Sequence, residues 1–371
     1  MQYSIVSADS HINEPPELFN EVPASLRSLA PQLVHTDKGD AWIMAPGAAP
    51  RFVSTSAVAG RKKEEYLARP VTYETMRKGS FMPGPHVEDM DIDNIDAGVL
   101  YPGIMRYLER CADGPVRLAC AHTYNEWMAG FQKHDPKRLV GIATLPQLDD
   151  DMGKTTIEAL ERAAKLGLRG AFLSQKDSGI PLHHPDASRF WAVAEEIGIP
   201  ISIHIHTNPF QRGWSKDWMD IPGSKELGGS LVLIGMAEHM NTLIWGGVVA
   251  RHPKLKIVLA EGGIGWIPSV LERMDHVYDV HRHYMNSIVK EKPSETFRKN
   301  FYATFQKDVA GIRLRDMMGA DRLMWASDYP HTDTTWPESK KVIDETFEGV
   351  PEGDKHLMIS ENAARLYGLQ N

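Results

Sequence analysis

The chain has 371 residues, 42% of them apolar and 24% charged, with a formal net charge of −8. This is ordinary globular composition, long enough to bury a large core. The negative balance, with no long basic run, argues against nucleic acid or an anionic membrane as a partner but leaves a small anionic substrate open.

The first predicted strand is Tyr3–Ser7, and it runs straight into Asp9 and His11. Side chains two apart on a strand share a face, so both can reach one point near the strand's carboxyl end. Residues 31–72 follow as an insertion. Its β-like pieces Leu33-Val34-His35 and Ala41-Trp42-Ile43-Met44 flank the turn Asp37-Lys38-Gly39-Asp40. A charged run, Arg61 to Glu65, comes next, and the whole insertion reads as a lid or an oligomer contact. Further β-branched runs recur at Gly98–Tyr101, Val140–Leu145, Gly170–Ser174, Ile201–His206, Lys256–Glu261, Phe301–Phe305 and Arg322–Ser327. Helical patterns fall between them, at Arg117–His134, Gly153–Leu166, Ala187–Ile197, Leu227–Met240, Ile264–Tyr284 and Val309–Met318. Strand–helix alternation favours a parallel sheet covered by helices, and eight such units predict a (β/α)8 TIM barrel. A doubly wound open sheet is the alternative. The stretch Thr207–Lys225 lacks periodicity and is expected at the barrel mouth. Cys111 and Cys120 read as reduced, packed thiols rather than a disulfide framework. No basic-then-apolar leader opens the chain and no apolar run approaches the roughly 18 residues of a membrane span, so the expected location is the cytoplasm.

Several strand ends carry chemistry. An aspartate and an imidazole converging after the first strand suit a divalent transition metal. In the fifth run, alternation puts Ser202, His204 and His206 on one face, so His204 and His206 are candidate ligands; structural roles compete. The sixth run ends Glu261-Gly262-Gly263, where the carboxylate either points into the mouth or favours the start of the next helix. The eighth run ends Trp325-Ala326-Ser327-Asp328-Tyr329-Pro330-His331. Asp328 there can bind metal and accept a proton from bound water. His331 can hold a ligand or a substrate oxygen. Glu14 is either an extra ligand or a turn residue before Pro15-Pro16.

The D-x-H at the first strand, the I-x-H after Gly198-Ile199-Pro200, and W-A-S-D-Y-P-H at the eighth resemble the amidohydrolase superfamily. More narrowly, the chain is similar to the amidohydrolase-related branch that includes aminocarboxymuconate semialdehyde decarboxylase. Scaffold phrases such as Asp135-Pro136-Lys137-Arg138-Leu139 and Pro268-Ser269-Val270-Leu271-Glu272-Arg273 carry the likeness nearly end to end. The resemblance implies a barrel with a divalent metal, zinc first, with iron or manganese as alternatives. It places the metal positions on Asp9, His11, His204 and Asp328. It also places an acid-binding arginine on Arg273, acting within one chain or across a dimer. Two positions depart from the pattern. Asp9 stands where many relatives carry His or Glu, and Glu261 stands where the better-known decarboxylases carry an acid/base His.

The expected reaction is hydrolysis of an amide, ester, lactone or thioester by metal-activated water. Asp328 or Glu261 would be the base, and His331 would polarise the carbonyl. Glu261, His206 and Glu14 could instead serve a second metal; Glu261 could also pair with a local Arg or Lys, and Glu14 could act as an acid beside the ligands. Two alternatives stay open: non-oxidative decarboxylation of an aromatic or unsaturated acid, and a non-catalytic metal-binding barrel. Trp214, Trp218, Trp266 and Trp336 are candidates for an aromatic pocket wall, with Trp214 and Trp266 foremost.

Overall fold

Short apolar runs punctuated by glycine and proline form the sheet that positions everything else. The computed structural model describes residues 3–66, 70–149, 152–173, 179–205 and 221–370. Strand β1 (Val6–His11) precedes a small antiparallel sheet of β2 (Gln32–Thr36), β3 (Gly39–Ile43) and β4 (Arg51–Phe52). Then come β5 (Ala97–Tyr101), β6 (Leu139–Leu145), β7 (Gly170–Leu173), β8 (Ile201–His204), β9 (Ile257–Ala260), β10 (Phe301–Phe305) and β11 (Leu323–Trp325). Among the described residues the larger sheet has eight strands, in the order β1-β5-β6-β7-β8-β9-β10-β11. Each hydrogen-bonded neighbour is parallel.

The two ends of this sheet meet. The Asp328 amide donates to the Asp9 carbonyl at 3.0 Å, and the His11 amide donates to the Tyr329 carbonyl. The hydroxyls of Ser7, Ser10 and Ser327 lie 2.9–3.1 Å from one another across the same seam. The fold is the (β/α)8 barrel, and the open doubly wound sheet is set aside.

Helices of eight residues or more cover the outside: α1 (Pro83–Ile92), α2 (Gly114–Lys133), α3 (Lys154–Lys165), α4 (Ser188–Ile197), α5 (Ser224–Trp245), α6 (Ile267–His281), α7 (Pro293–Asn300) and α8 (Ser339–Thr346). Local signals explain their edges. Asp113 caps α2 by accepting the Val116 amide at 3.0 Å, with a proline in the first turn. Ile157, Leu160 and Ala163 repeat at helical spacing on α3 and are buried. The predicted Val309–Met318 helix is two short ones, Val309–Arg313 and Arg315–Met318, while α1, α7 and α8, each of ten residues or fewer, are not among the predicted elements.

The stretch Glu226–Arg251 is long and apolar enough to cross a membrane by length and composition, which the sequence reading did not anticipate. Half of its most apolar 18-residue window is buried, through Met236, Met240, Leu243 and Ile244 among others. Its first turns, including Leu227, face outward, while its later turns pack on the barrel.

The barrel interior is filled by Val6, Ala8, Val99, Val140, Ile142, Phe172, Val258, Ala260 and Met324. Its lower end is plugged by the C-terminal Ala363, Leu366, Tyr367 and Leu369. The upper end, where the strands' carboxyl termini lie, is the face that barrel folds use for chemistry. The insertion packs onto that face: the Val58 and Ala59 amides donate to the Pro330 carbonyl at 3.0 and 3.3 Å. Its hairpin matches the expected turn, and a short third strand, β4, completes the sheet.

Candidate metal centre and active site

Four strand ends deliver the cluster. β1 carries an irregularity between Ser7 and Ser10, where three steps along it match two along β5. Ser7 and Ser10 thereby converge at the seam. Asp9 and His11 are fully buried and converge with His204 and Asp328. β8 ends at His204, while Glu261 and Asp328 lie just beyond β9 and β11. Both carboxylates stand on left-handed backbone, φ +61° for Glu261 and +53° for Asp328. A non-glycine residue there costs roughly 1–2 kcal/mol. Neighbours hold it: the Glu261 amide donates to Thr304 Oγ1 at 2.7 Å, and the Asp328 amide is tied to Asp9. Such strain persists where the surroundings over-determine it, often at functional sites.

His11 Nε2 lies 3.4 Å from Asp9 Oδ1 and 3.3 Å from Asp328 Oδ1. His204 Nε2 lies 3.6 Å from Asp9 Oδ2 and 3.2 Å from Glu261 Oε2. His331 Nδ1 is 3.1 Å from Asp328 Oδ1, and its ring stacks on His11 with centroids 3.8 Å apart. The other ring nitrogen of each ligand candidate faces a carbonyl: His11 Nδ1 is 3.3 Å from the Pro102 oxygen and His204 Nδ1 is 3.1 Å from that of Ile205. A ring that donates from Nδ1 presents a lone pair at Nε2. The inward atoms are therefore nearly all acceptors. Asp9 Oδ1, His11 Nε2 and both Asp328 oxygens are buried without a hydrogen bond among the described residues. Burying lone pairs against one another is costly unless a cation joins them. Two overlapping sets, Asp9–His11–His204 and His11–Glu261–Asp328–His331, each keep their donor atoms within 4.8 Å. This donor set fits a divalent ion.

Burial holds the His11 and His331 imidazoles well below the usual histidine range, so both are neutral. Burial also pushes Asp328 well above the usual carboxylate range, with the Glu261 and Asp9 charges adding to it. Glu261 is raised by burial too, against the opposing pull of His204 and Arg106. For His204, burial works downward, but the Asp9 and Glu261 carboxylates outweigh it and raise it.

Residues 8–369 match the family described as Amidohydrolase. The chain belongs to the amidohydrolase family. Within it, the chain falls in the branch related to aminocarboxymuconate semialdehyde decarboxylase. It is 24% identical over 298 residues to the 2-amino-3-carboxymuconate-6-semialdehyde decarboxylase of Dictyostelium discoideum, covering 77% of each chain. In fold it is similar to an amidohydrolase from Mycobacterium avium subsp. paratuberculosis, with TM-score 0.80, 18% identity and coverage of 99% and 100% of the two chains. A dihydroxybenzoic acid decarboxylase from a Polaromonas species, solved with manganese and 2-nitroresorcinol, gives TM-score 0.67 at 20% identity, covering 100% and 98%.

These relatives overturn the expectation of hydrolysis. Those with a named reaction remove carboxyl groups. The hydrolytic reading rested on the ligand set, and that set serves a carboxylate-binding metal as well as a water-activating one. The chain is an enzyme of this superfamily, and the hydrolase assignment is withdrawn.

Other anticipated residues of this amidohydrolase lie elsewhere. Glu14 is buried, but its carboxylate accepts the Gly103, Ile104 and Met105 amides at 3.1, 2.7 and 3.0 Å. It caps the 3-10 turn Ile104–Arg110, and so is neither an extra ligand nor a surface turn residue. Arg273 is exposed on α6, and no described hydrogen bond or ion pair ties it to the cluster. Trp266 folds its indole over the turn after Glu261, donating to the Gly262 and Gly263 carbonyls at 2.9 and 3.1 Å. Trp336 donates to the Asp89 carbonyl at 2.9 Å. His206, Trp214 and Trp218 lie outside the described residues.

Sequence reasoning missed Arg106. Its side chain is 12% exposed, and Nη1 lies 3.7 Å from Glu261 Oε2. With Asn13, Trp42, Arg51, Phe52 and Tyr107 it also lines a cavity of about 350 Å³ between insertion and barrel. That volume is at the small end of ligand pockets. Arg51 stacks over the Tyr107 ring at 3.5 Å, on the same cavity wall. No motif marks Arg106, which sits in the 3-10 turn Ile104–Arg110 and not at the end of an apolar strand.

Proposed function

We propose that this enzyme is a metal-dependent, non-oxidative decarboxylase of a small carboxylic acid. The observation that carries the reading is the decarboxylase relative aligned over 77% of both chains. The acceptor-lined cluster beside a small cavity supports it.

Asp9, His11, His204 and Asp328 would hold the ion. A divalent metal bound there supplies a fixed positive charge that orients and polarises the substrate's carboxylate and a neighbouring oxygen. The mixed carboxylate–imidazole set accepts manganese or iron as well as zinc, and the Polaromonas decarboxylase was solved with manganese. Glu261 would supply the proton. Its oxygen is 3.2 Å from His204, and its side chain is 14% exposed, so it can exchange with solvent. The bond from the substrate carbon to its carboxyl carbon breaks, and carbon dioxide leaves. The electron pair stays on the substrate carbon and takes the Glu261 proton. Glu261 then regains a proton from water. Burial raises its affinity for that proton, the direction that a proton donor requires. His331, stacked on His11 and beside Asp328, keeps both in place.

The test is carbon dioxide release, followed by mass spectrometry, from a panel of hydroxybenzoates and unsaturated dicarboxylates. In heavy water the vacated carbon should carry one deuterium. Glu261→Gln should lower kcat by about 10²–10⁴-fold with the metal retained. Carboxylate products without carbon dioxide, or a fully active Glu261→Gln enzyme, would refute the proposal.

A further inference from the structure

Three carboxylates face the reaction space: Asp9, Glu261 and Asp328. A divalent ion offsets two of their charges. With Glu261 holding the proton it transfers, the cluster is then left neutral, with no positive charge to spare for the remaining negative charge of an acid substrate. Arg106 is placed to supply the missing charge. It reaches Glu261 on one side and borders the cavity on the other. It is held there locally, with Nε donating to the Gly103 carbonyl at 3.3 Å and the guanidinium 5.6 Å from the Tyr107 ring centre. Glu14 fixes the start of the turn that carries it, through three amides. Arg273, the arginine expected to bind an acid, is exposed on α6.

We propose that Arg106 is a specificity-determining residue, the receptor for substrate negative charge at the junction of the metal cluster and the cavity. A guanidinium there selects acids over neutral molecules of the same shape. Its planar fork also matches a carboxylate or phenolate better than an ammonium would. The inference rests on the decarboxylase reading only in taking the substrate to be an acid.

The test uses manganese-loaded full-length protein and two probes of one shape, benzoate and benzamide, titrated by calorimetry. Wild type should bind benzoate the more tightly. Arg106→Gln should weaken benzoate on the order of 10- to 100-fold, leave benzamide unchanged, and keep bound manganese at the wild-type level. Arg106→Lys should recover part of the loss. Equal loss of both probes, or loss of manganese, would make Arg106 a structural brace for Glu261 and overturn the proposal. Unchanged benzoate binding in Arg106→Gln, or no benzoate binding by wild type at millimolar concentration, would overturn it too. If charge selectivity follows Arg106 while no acid releases carbon dioxide, this inference stands and the reaction assignment fails.

Discussion

Glu261 and Asp328 combine two costs: a carboxyl group taken out of water and a left-handed backbone. Glycine would relieve the second. Glu261→Gly should therefore be about 1 kcal/mol more stable than Glu261→Ala in urea unfolding, since alanine keeps the strain and loses the carboxylate. Equal stabilities would show that the backbone there is relaxed. Asp328 offers two buried oxygens without hydrogen bonds among the described residues. Asp328→Asn replaces one lone-pair oxygen with an amide donor aimed at other acceptors. Metal affinity should fall by at least about 100-fold, beyond what loss of an outer partner costs, as read by competition with a chelating dye. Asp9, His11, His204, Glu261 and Asp328 could be singled out in the sequence because each lies at or just past the end of an apolar run. Arg106 could not, since a turn residue's direction depends on contacts that no local pattern encodes.

The turn Ile104–Arg110 is an element built around one buried acid. Burial pushes Glu14 up to about 7, although three backbone amides favour its charged form. Its folded-state value is thus above the ordinary 4.5. The sign follows: the protonated form favours folding, so this contribution is fully present below pH 4.5 and is lost as pH rises through about 7. The window is worth up to about 3 kcal/mol. The unfolding free energy of wild type relative to Glu14→Gln should therefore decline between pH 4.5 and 7. A difference independent of pH would mean that the amides hold Glu14 charged throughout. The sequence left Glu14 between ligand and turn residue because its partners come from a loop about ninety residues away. The same limit hid β4, only two residues long, whose pairing with β3 is set by the insertion as a whole.

Across the molecule, stability and chemistry occupy opposite ends of the barrel. Tyr367 plugs the lower end, with its hydroxyl 3.5 Å from that of Tyr101, which in turn is 2.8 Å from Ser202 Oγ. Tyr367→Ala should cost about 3–5 kcal/mol by opening a void there, with metal content unchanged. Loss of metal in that variant would show the two ends to be coupled. The barrel itself was legible because eight apolar runs alternate with helical ones. The reaction was not, because one ligand set serves both hydrolysis and decarboxylation, and only the comparison with relatives separates them. The whole account depends on a cation joining the buried acceptors of Asp9, His11, His204 and Asp328. Elemental mass spectrometry of protein purified without added metal tests this most directly. About one equivalent of a divalent transition metal per chain is expected, falling to background in His11→Ala and Asp328→Asn proteins that remain folded by circular dichroism. A folded wild-type protein that neither carries such a metal nor takes one up on addition would contradict the account.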